Sequence, residues 1–320
     1  MKASGRSAVV RLQPLLIAVG LGLMILLLVR QWDSLVAYEW RIDIVWLAAS
    51  GLLVLGGWSI EIRLWQRLLA LLGGRLDFLA AIRIWFASSI VRYIPGNVWQ
   101  PLNMTVLCAQ RNIQPEVTLA STLLFHAVHM LAVAIVTAGY VGIRGLLGMP
   151  AMVLGSLSGW GAACLASPVI LFVIWPRPLL ALGNGVLVRW GRRPLPSDVS
   201  STELARLLGV CLASWGFVCA GFAALIRALG LGLEDSFAGT FVHLGAAYPV
   251  AYALGFLSFL TPGGLAVREG VLILLLEPIL GGGRGLVVAL AMRLWEVSLE
   301  IVVGGSIVGF GQLLRPTRPH

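Results

Sequence analysis

The sequence predicts an all-α, polytopic integral membrane protein, with about six spanning helices and two re-entrant hairpins broken at Pro-Gly. Three observations carry this. The 320 residues are 59% hydrophobic and 12% charged, with mean hydropathy +0.93, whereas a soluble domain is about 25% charged. Apolar runs of the roughly 20 residues needed to cross hydrocarbon recur along the chain. Finally, the basic residues divide unevenly once those runs are read as spans.

Taken in order, the N-terminus has Lys2, Arg6 and Arg11, then an apolar run from Leu12 to Val29. Arg30-Gln31-Trp32-Asp33 follows. No small-residue cleavage site is present there, so the run reads as a retained first membrane helix. Spans are expected at 12–30, 44–62, 117–142, 151–175, 207–229 and 286–312. Two further apolar regions are interrupted. Phe78 to Ala109 breaks at Pro95-Gly96, and Phe237 to Leu280 breaks at Pro262-Gly263-Gly264.

If both are re-entrant, sixteen of the 23 basic residues fall on the side that holds both termini. That side is then cytoplasmic. The two breaks enter from opposite sides, between spans of opposite sense, as in an inverted-topology repeat. Paired Gly/Pro interruptions of this kind point to a transporter's central site. A competing parse makes 238–260 and 265–280 full spans and leaves the termini where they are. The loop 176–206 is the clearly aqueous stretch, and a capping box from Ser200 to Glu203 opens the next span. It is too short for a separate domain, so residues 1–320 read as a single membrane domain.

The net charge of +9 fits orientation and contact with anionic headgroups rather than nucleic acid. The four cysteines show no CxxC spacing or Cys/His cluster, which supports neither disulfides nor zinc. No GxxxxGK[ST], HExxH or GxSxG occurs. No catalytic residue, metal or cofactor is therefore expected.

Four groups of residues carry chemistry. In "IVRYIPGNVWQ" (90–100), broken backbone at membrane depth must be satisfied by protein or by a wet cavity. A helix starting after Pro95-Gly96, beside Arg92, suits an anion such as a lipid phosphate. The same stretch also reads as an interfacial turn, with Tyr93 and Trp99 in the aromatic belt and Arg92 snorkelling. In "FLTPGGLAVREG" (259–270), Gly263 and Gly264 permit a tight turn. Arg268 and Glu269 project about 100° apart on a helix, so each needs its own partner. They sit either in an interior cavity or at the interface.

In the last span Arg293, Glu296 and Glu300 share one face. That face lies inside the bundle, either as a structural Arg293–Glu296 pair or as a polar pathway with a protonatable carboxylate. His126 and His129 read as interior hydrogen-bonding histidines rather than metal ligands. Glu61 and Arg63 read as an interface pair. Gly155-xxx-Gly159 and Gly305-xxx-Gly309 suit close helix packing.

These motifs resemble a known family. "FASSIVRYIPGNVWQ" is similar to the "F…YxPGxxG" segment of the lysylphosphatidylglycerol synthase transmembrane-region family. "SFLTPGGLAVREG" is similar to its later "PGGLGxRE" segment, and "MRLWEVSLEIVVGG" to its last helix with a closing Gly-Gly. Pro262, Gly263, Gly264, Arg268 and Glu269 all match. Asn97-Val98-Trp99 departs where a basic residue and a glycine are usual, and Ala266 replaces another usual glycine. The resemblance implies a stand-alone member without the soluble synthase domain, set in the bacterial inner membrane.

The resulting expectation is a translocase for a phospholipid or lipid-linked precursor. Arg92, Arg268 and Arg293 would contact the headgroup. Pro95, Gly96, Pro262, Gly263 and Gly264 would shape the breaks. Glu269, Glu296 and Glu300 would orient the arginines or relay protons. Its partners would be lipids, a lipid-modifying enzyme or a second copy, and not nucleic acid. The alternatives are an integral-membrane enzyme or accessory subunit for lipid-linked sugar or aminoacyl-lipid synthesis, with Asp33, Glu39 and Asp43 as acidic candidates, or a non-catalytic scaffold for a partner synthase.

Overall fold

The computed structural model describes residues 41–89, 99–146, 200–232, 236–245, 247–258, 266–281 and 283–313, with isolated positions at 29, 32, 36, 185, 188, 189 and 264. Every regular element among them is helical. The expected spans at 12–30 and 151–175 lie outside the described residues, as do Arg92, Pro95, Gly96, Pro262 and Gly263.

Helix α1 (Ile44–Leu71) starts where Asp43 caps it, accepting from the N–H groups of Val45 (2.9 Å) and Trp46 (3.2 Å). Asp43, an acidic candidate in the sequence, is thus a helix cap. The helix runs nine residues past the expected end at Ile62. Arg63 and Arg67 close the apolar window without breaking the helix, because both are good helix formers. The first interrupted region forms α2 (Phe78–Ser89) and α3 (Trp99–Ala109), on either side of the Pro-Gly stretch. Helix α4 is Pro115–Leu146, with Pro at its first position. Helix α5 is Ser201–Ala228, capped by Ser200. The expected capping box is half formed, since Glu203 lies 3.6 Å from Arg206 instead.

The second interrupted region is α6 (Phe237–Thr240), one π turn (Phe241–Gly245), α7 (Ala247–Leu257) and α8 (Val267–Leu280). A π turn breaks the i→i−4 ladder and frees carbonyls. The Tyr140 hydroxyl donates to one of them, that of His243. Helix α9 (Arg284–Leu313) closes the chain. By length and apolarity, Ile44–Leu71, Pro115–Tyr140, Ser201–Ala228 and Phe237–Leu257 are each able to cross a bilayer.

Helix α1 packs along α5 on small residues. A Cβ at Gly57 would lie 2.8 Å from Val218, and one at Gly221 would lie 2.7 Å from Val54. The Ser50 hydroxyl donates to the Gly221 carbonyl across the same seam (2.7 Å). The Asp43 N–H donates to the Ala228 carbonyl (2.9 Å), so α1 begins where α5 ends. At the opposite end, Asp77 lies 3.7 Å from Arg111. By contrast a Cβ built at Gly305, which the sequence suggested for close packing, meets nothing within 4 Å among the described residues.

The Glu277 side chain links the end of α8 to the start of α9. Glu277 accepts from the N–H groups of Gly283 (2.7 Å) and Gly285 (3.1 Å), which caps the start of α9. Replacing Glu277 by Ala leaves both N–H groups without that acceptor. The expected loss is about 1–2 kcal/mol, measured by denaturant titration of the purified protein.

Candidate functional site

Beyond the second break, α8 opens with Ala266 at φ +69°, a left-handed conformation that favours glycine. The Glu269 carboxylate reaches back to accept from the Ala266 N–H (2.8 Å) and so holds the first turn of the helix. Gly264 sits just before it at φ +71°. A Cβ there would lie 2.9 Å from the Gly255 carbonyl, so the turn rests directly on the α7 backbone. Changing Ala266 to Gly relieves the strain and is expected to gain about 1 kcal/mol. Thermal melting in detergent checks this.

Arg268 is buried, 6% exposed, and its guanidinium is divided among three partners. One terminal nitrogen donates to Glu296 Oε2 (2.7 Å), and the other donates to the Tyr248 hydroxyl (3.0 Å). Its Nε lies 3.7 Å from Glu269 Oε1. Tyr248 in turn donates to Glu296 Oε1. The Arg293 Nε lies 3.8 Å from Glu269 Oε1. Two arginines, two glutamates and one tyrosine therefore tie α7, α8 and α9 together. The ion pairing crosses between helices: Glu296 takes Arg268, and Arg293 approaches Glu269. Position 296 lies 12 residues into α9, about 18 Å along its axis at 1.5 Å per residue. The motif at the second break is thus packed inside the helical bundle, against α7 and α9.

The cluster forms one side of a cavity of about 120 Å³. Arg268, Arg293, Glu296 and Glu300 line it, with Glu269 behind them. Gln100, Pro101 and Met104 of α3 line it as well, as do Gly255 and Phe256 of α7. The flanks of both broken regions therefore meet at one cavity. Glu61 also lines it, while the Arg63 guanidinium carbon sits 3.5 Å above the Phe78 ring. The expected Glu61–Arg63 interface pair is not formed. Residues two apart on a helix point about 200° apart, so one faces the cavity and the other faces α2.

The opposite wall is aromatic. Trp85 packs edge-on to Phe125 (5.3 Å), Phe125 lies 5.2 Å from His129, and His129 lies 4.8 Å from Trp215. Trp215 and His129 each meet Tyr252 (5.4 Å), and His126 stacks on Phe256 (4.8 Å). Both histidines line the cavity. His126 Nδ1 is 2.7 Å from the Thr122 carbonyl, and His129 Nδ1 is 3.6 Å from Cys211 Sγ. Among the described residues no group of three potential ligands could hold a metal.

Long apolar helices around a buried, cross-linked ionic cluster define a polytopic helical membrane protein. The chain belongs to the lysylphosphatidylglycerol synthase TM region family, whose model matches residues 15–304. No curated protein and no solved structure matches it.

Tyr248 and Tyr252 are among the site residues that sequence reasoning missed, with Trp85, Phe125 and Trp215 of the aromatic wall. The two tyrosines lie one helical turn apart, in "AAYPVAYALGF". That i, i+4 spacing in an otherwise apolar helix was the available signal.

Proposed function

We propose that the protein is an inner-membrane translocase for a phospholipid or lipid-linked precursor, with its N- and C-termini cytoplasmic. The observation that supports this reading best is the ionic cluster at the edge of a cavity that both broken regions border. Charged groups inside a membrane bundle are costly and typically mark a substrate or ion pathway. Broken helices facing one another near the bilayer midplane are the architecture of alternating access. In this reading Arg293, Glu296 and Glu300 face the headgroup, while Arg268 and Glu269 position them. The acyl tails stay in the surrounding lipid. Arg92, Pro95, Gly96, Pro262, Gly263 and Gly264 are assigned to the same passage because they adjoin α3 and α8 in the sequence.

Reconstitution tests the reading. Purified protein goes into liposomes carrying fluorescent phospholipids, and the pool in the inner leaflet is read by quenching from outside. Faster quenching of that pool in protein-containing vesicles is expected. Identical traces with and without protein, across anionic, zwitterionic and glycosylated lipids, would remove the translocase assignment.

A further inference from the structure

We propose that the cavity holds one exchangeable proton, taken up on Nε2 of His126 and balanced by Glu61 and Glu300, and that its uptake and release drive transport. The coupling rests on the translocase reading, whereas the proton site stands without it. Charge balance is the first ground. Glu269 and Glu296 face Arg268 and Arg293, two carboxylates against two guanidiniums. Glu61 of α1 and Glu300 of α9 line the same cavity, and among the described residues lining it the arginines are Arg268 and Arg293, with no lysine. Arg92 directly precedes the Pro-Gly break before α3 in the sequence. Even with Arg92 added, four carboxylates (Glu61, Glu269, Glu296 and Glu300) stand against three arginines. Net charge inside a bundle is costly unless a counter-charge or a proton neutralises it.

His126 has the geometry to carry that proton. Its Nδ1 lies 2.7 Å from the Thr122 carbonyl. A carbonyl only accepts, so Nδ1 bears the hydrogen and Nε2 is the basic atom of the neutral ring. The imidazole stacks on Phe256, with centroids 4.8 Å apart and planes 17° from parallel. The negative face of that ring favours an imidazolium. His129 is 2% exposed and enclosed by Phe125, Trp215 and Tyr252, whereas His126 is half-buried.

The remaining titratable groups are engaged elsewhere or set back. Both oxygens of Glu296 are taken, by Arg268 and by the Tyr248 hydroxyl. Glu269 holds the Ala266 N–H and lies between the two arginines. Cys211 of α5 lies against His129, 3.6 Å from its Nδ1. Tyr252 of α7 meets the His129 ring. The described residues of α2 and α3 add no titratable group to the lining. Helix α1, which carries Glu61, packs against α4, which carries His126. About 120 Å³ is room for several waters, enough to relay a proton among His126, Glu61 and Glu300.

Nitrogen NMR of the purified, histidine-labelled protein in detergent tests the site without any transport. The signal removed by His126→Gln, or by His126→Asn where that variant does not fold, identifies the ring. It should change reversibly from imidazole to imidazolium between about pH 8 and about pH 5. Replacing Glu61 and Glu300 by Gln should abolish the imidazolium signal at neutral pH. A His126 ring that stays neutral across the whole range overturns the site. Liposomes at clamped membrane potential test the coupling, with fluorescent phosphatidylglycerol, phosphatidylcholine and glucosyl diacylglycerol as probes in turn. At one proton per lipid, a gradient of about one pH unit sustains up to about tenfold asymmetry of the transported probe between leaflets. A protonophore, or His126→Gln, should return it to parity. Transfer that ends at parity under the gradient overturns the coupling and leaves the translocase reading. Asymmetry set by a sodium gradient at equal pH overturns the proton in favour of sodium. No transfer of any probe sinks the translocase reading and the coupling together, and the NMR titration still decides the site.

Discussion

Truncating Arg268 to Ala is expected to cost about 3–5 kcal/mol, because it strands Glu296 and Glu269 in the bundle without their shared cation. Glu296 loses its 2.7 Å charge-assisted bond, and the Tyr248 hydroxyl loses the donor at 3.0 Å. The informative comparison is a pair of replacements. Arg268→Met with Glu296→Leu removes both charges and keeps similar volume, while Glu269 and Arg293 still balance each other. Buried pairs exchanged for apolar residues are often neutral in stability, so the double variant should lie within about 1–2 kcal/mol of the parent. Denaturant titration of the two singles, the double and the parent gives the coupling directly. A cost below about 1 kcal/mol for Arg268→Ala, with coupling near zero, would mean the pair is hydrated and not buried. The double variant also separates stability from use. A folded protein that no longer moves lipid would make the cluster part of the passage.

The charge-bearing half of this site was largely legible in the sequence. Residues 293, 296 and 300 share a helical face by spacing alone, and Pro-Gly-Gly followed by Arg268-Glu269 is conspicuous in an apolar chain. Spacing within a helix says nothing about which other helix comes alongside. It therefore offered Arg293–Glu296 as the pair, where the fold sets Glu296 against α8. Glu61 was misplaced for a related reason. Two arginines ended the apolar window, but the helix runs on to Leu71 and carries Glu61 to the cavity. The aromatic wall was hidden because Trp85, Phe125 and Trp215 look like any buried or belt aromatics until four helices converge. Close packing followed the same logic. Gly57 and Gly221 matter because α1 meets α5 there, while Gly305 meets nothing within reach among the described residues.

Gly264→Ala should be the most damaging single-atom addition at the site. Two costs fall on one residue. Its φ of +71° belongs to the left-handed region, where a Cβ costs about 1–2 kcal/mol. The added carbon would also lie 2.9 Å from the carbonyl carbon and oxygen of Gly255 and 3.0 Å from its Cα. Backbone cannot swing aside as a side chain can, so α7 and the start of α8 must separate. Overpacking of this kind adds about 1–3 kcal/mol, for a total of roughly 2–5 kcal/mol. Gly73→Ala is the control for the first term, since Gly73 has φ +93° and, among the described residues, nothing within 4 Å. It should lose only the conformational cost. If both variants melt alike, the contact with Gly255 carries no load and α8 is free to shift. If Gly264→Ala falls well below Gly73→Ala, the turn is seated on α7. Arg268, four residues on, is then held to Glu296 by the fit of two glycines as much as by charge. A Cβ at Gly255 would itself lie 3.0 Å from the Arg268 Cβ, so Gly255→Ala should disturb the same registry from the other side.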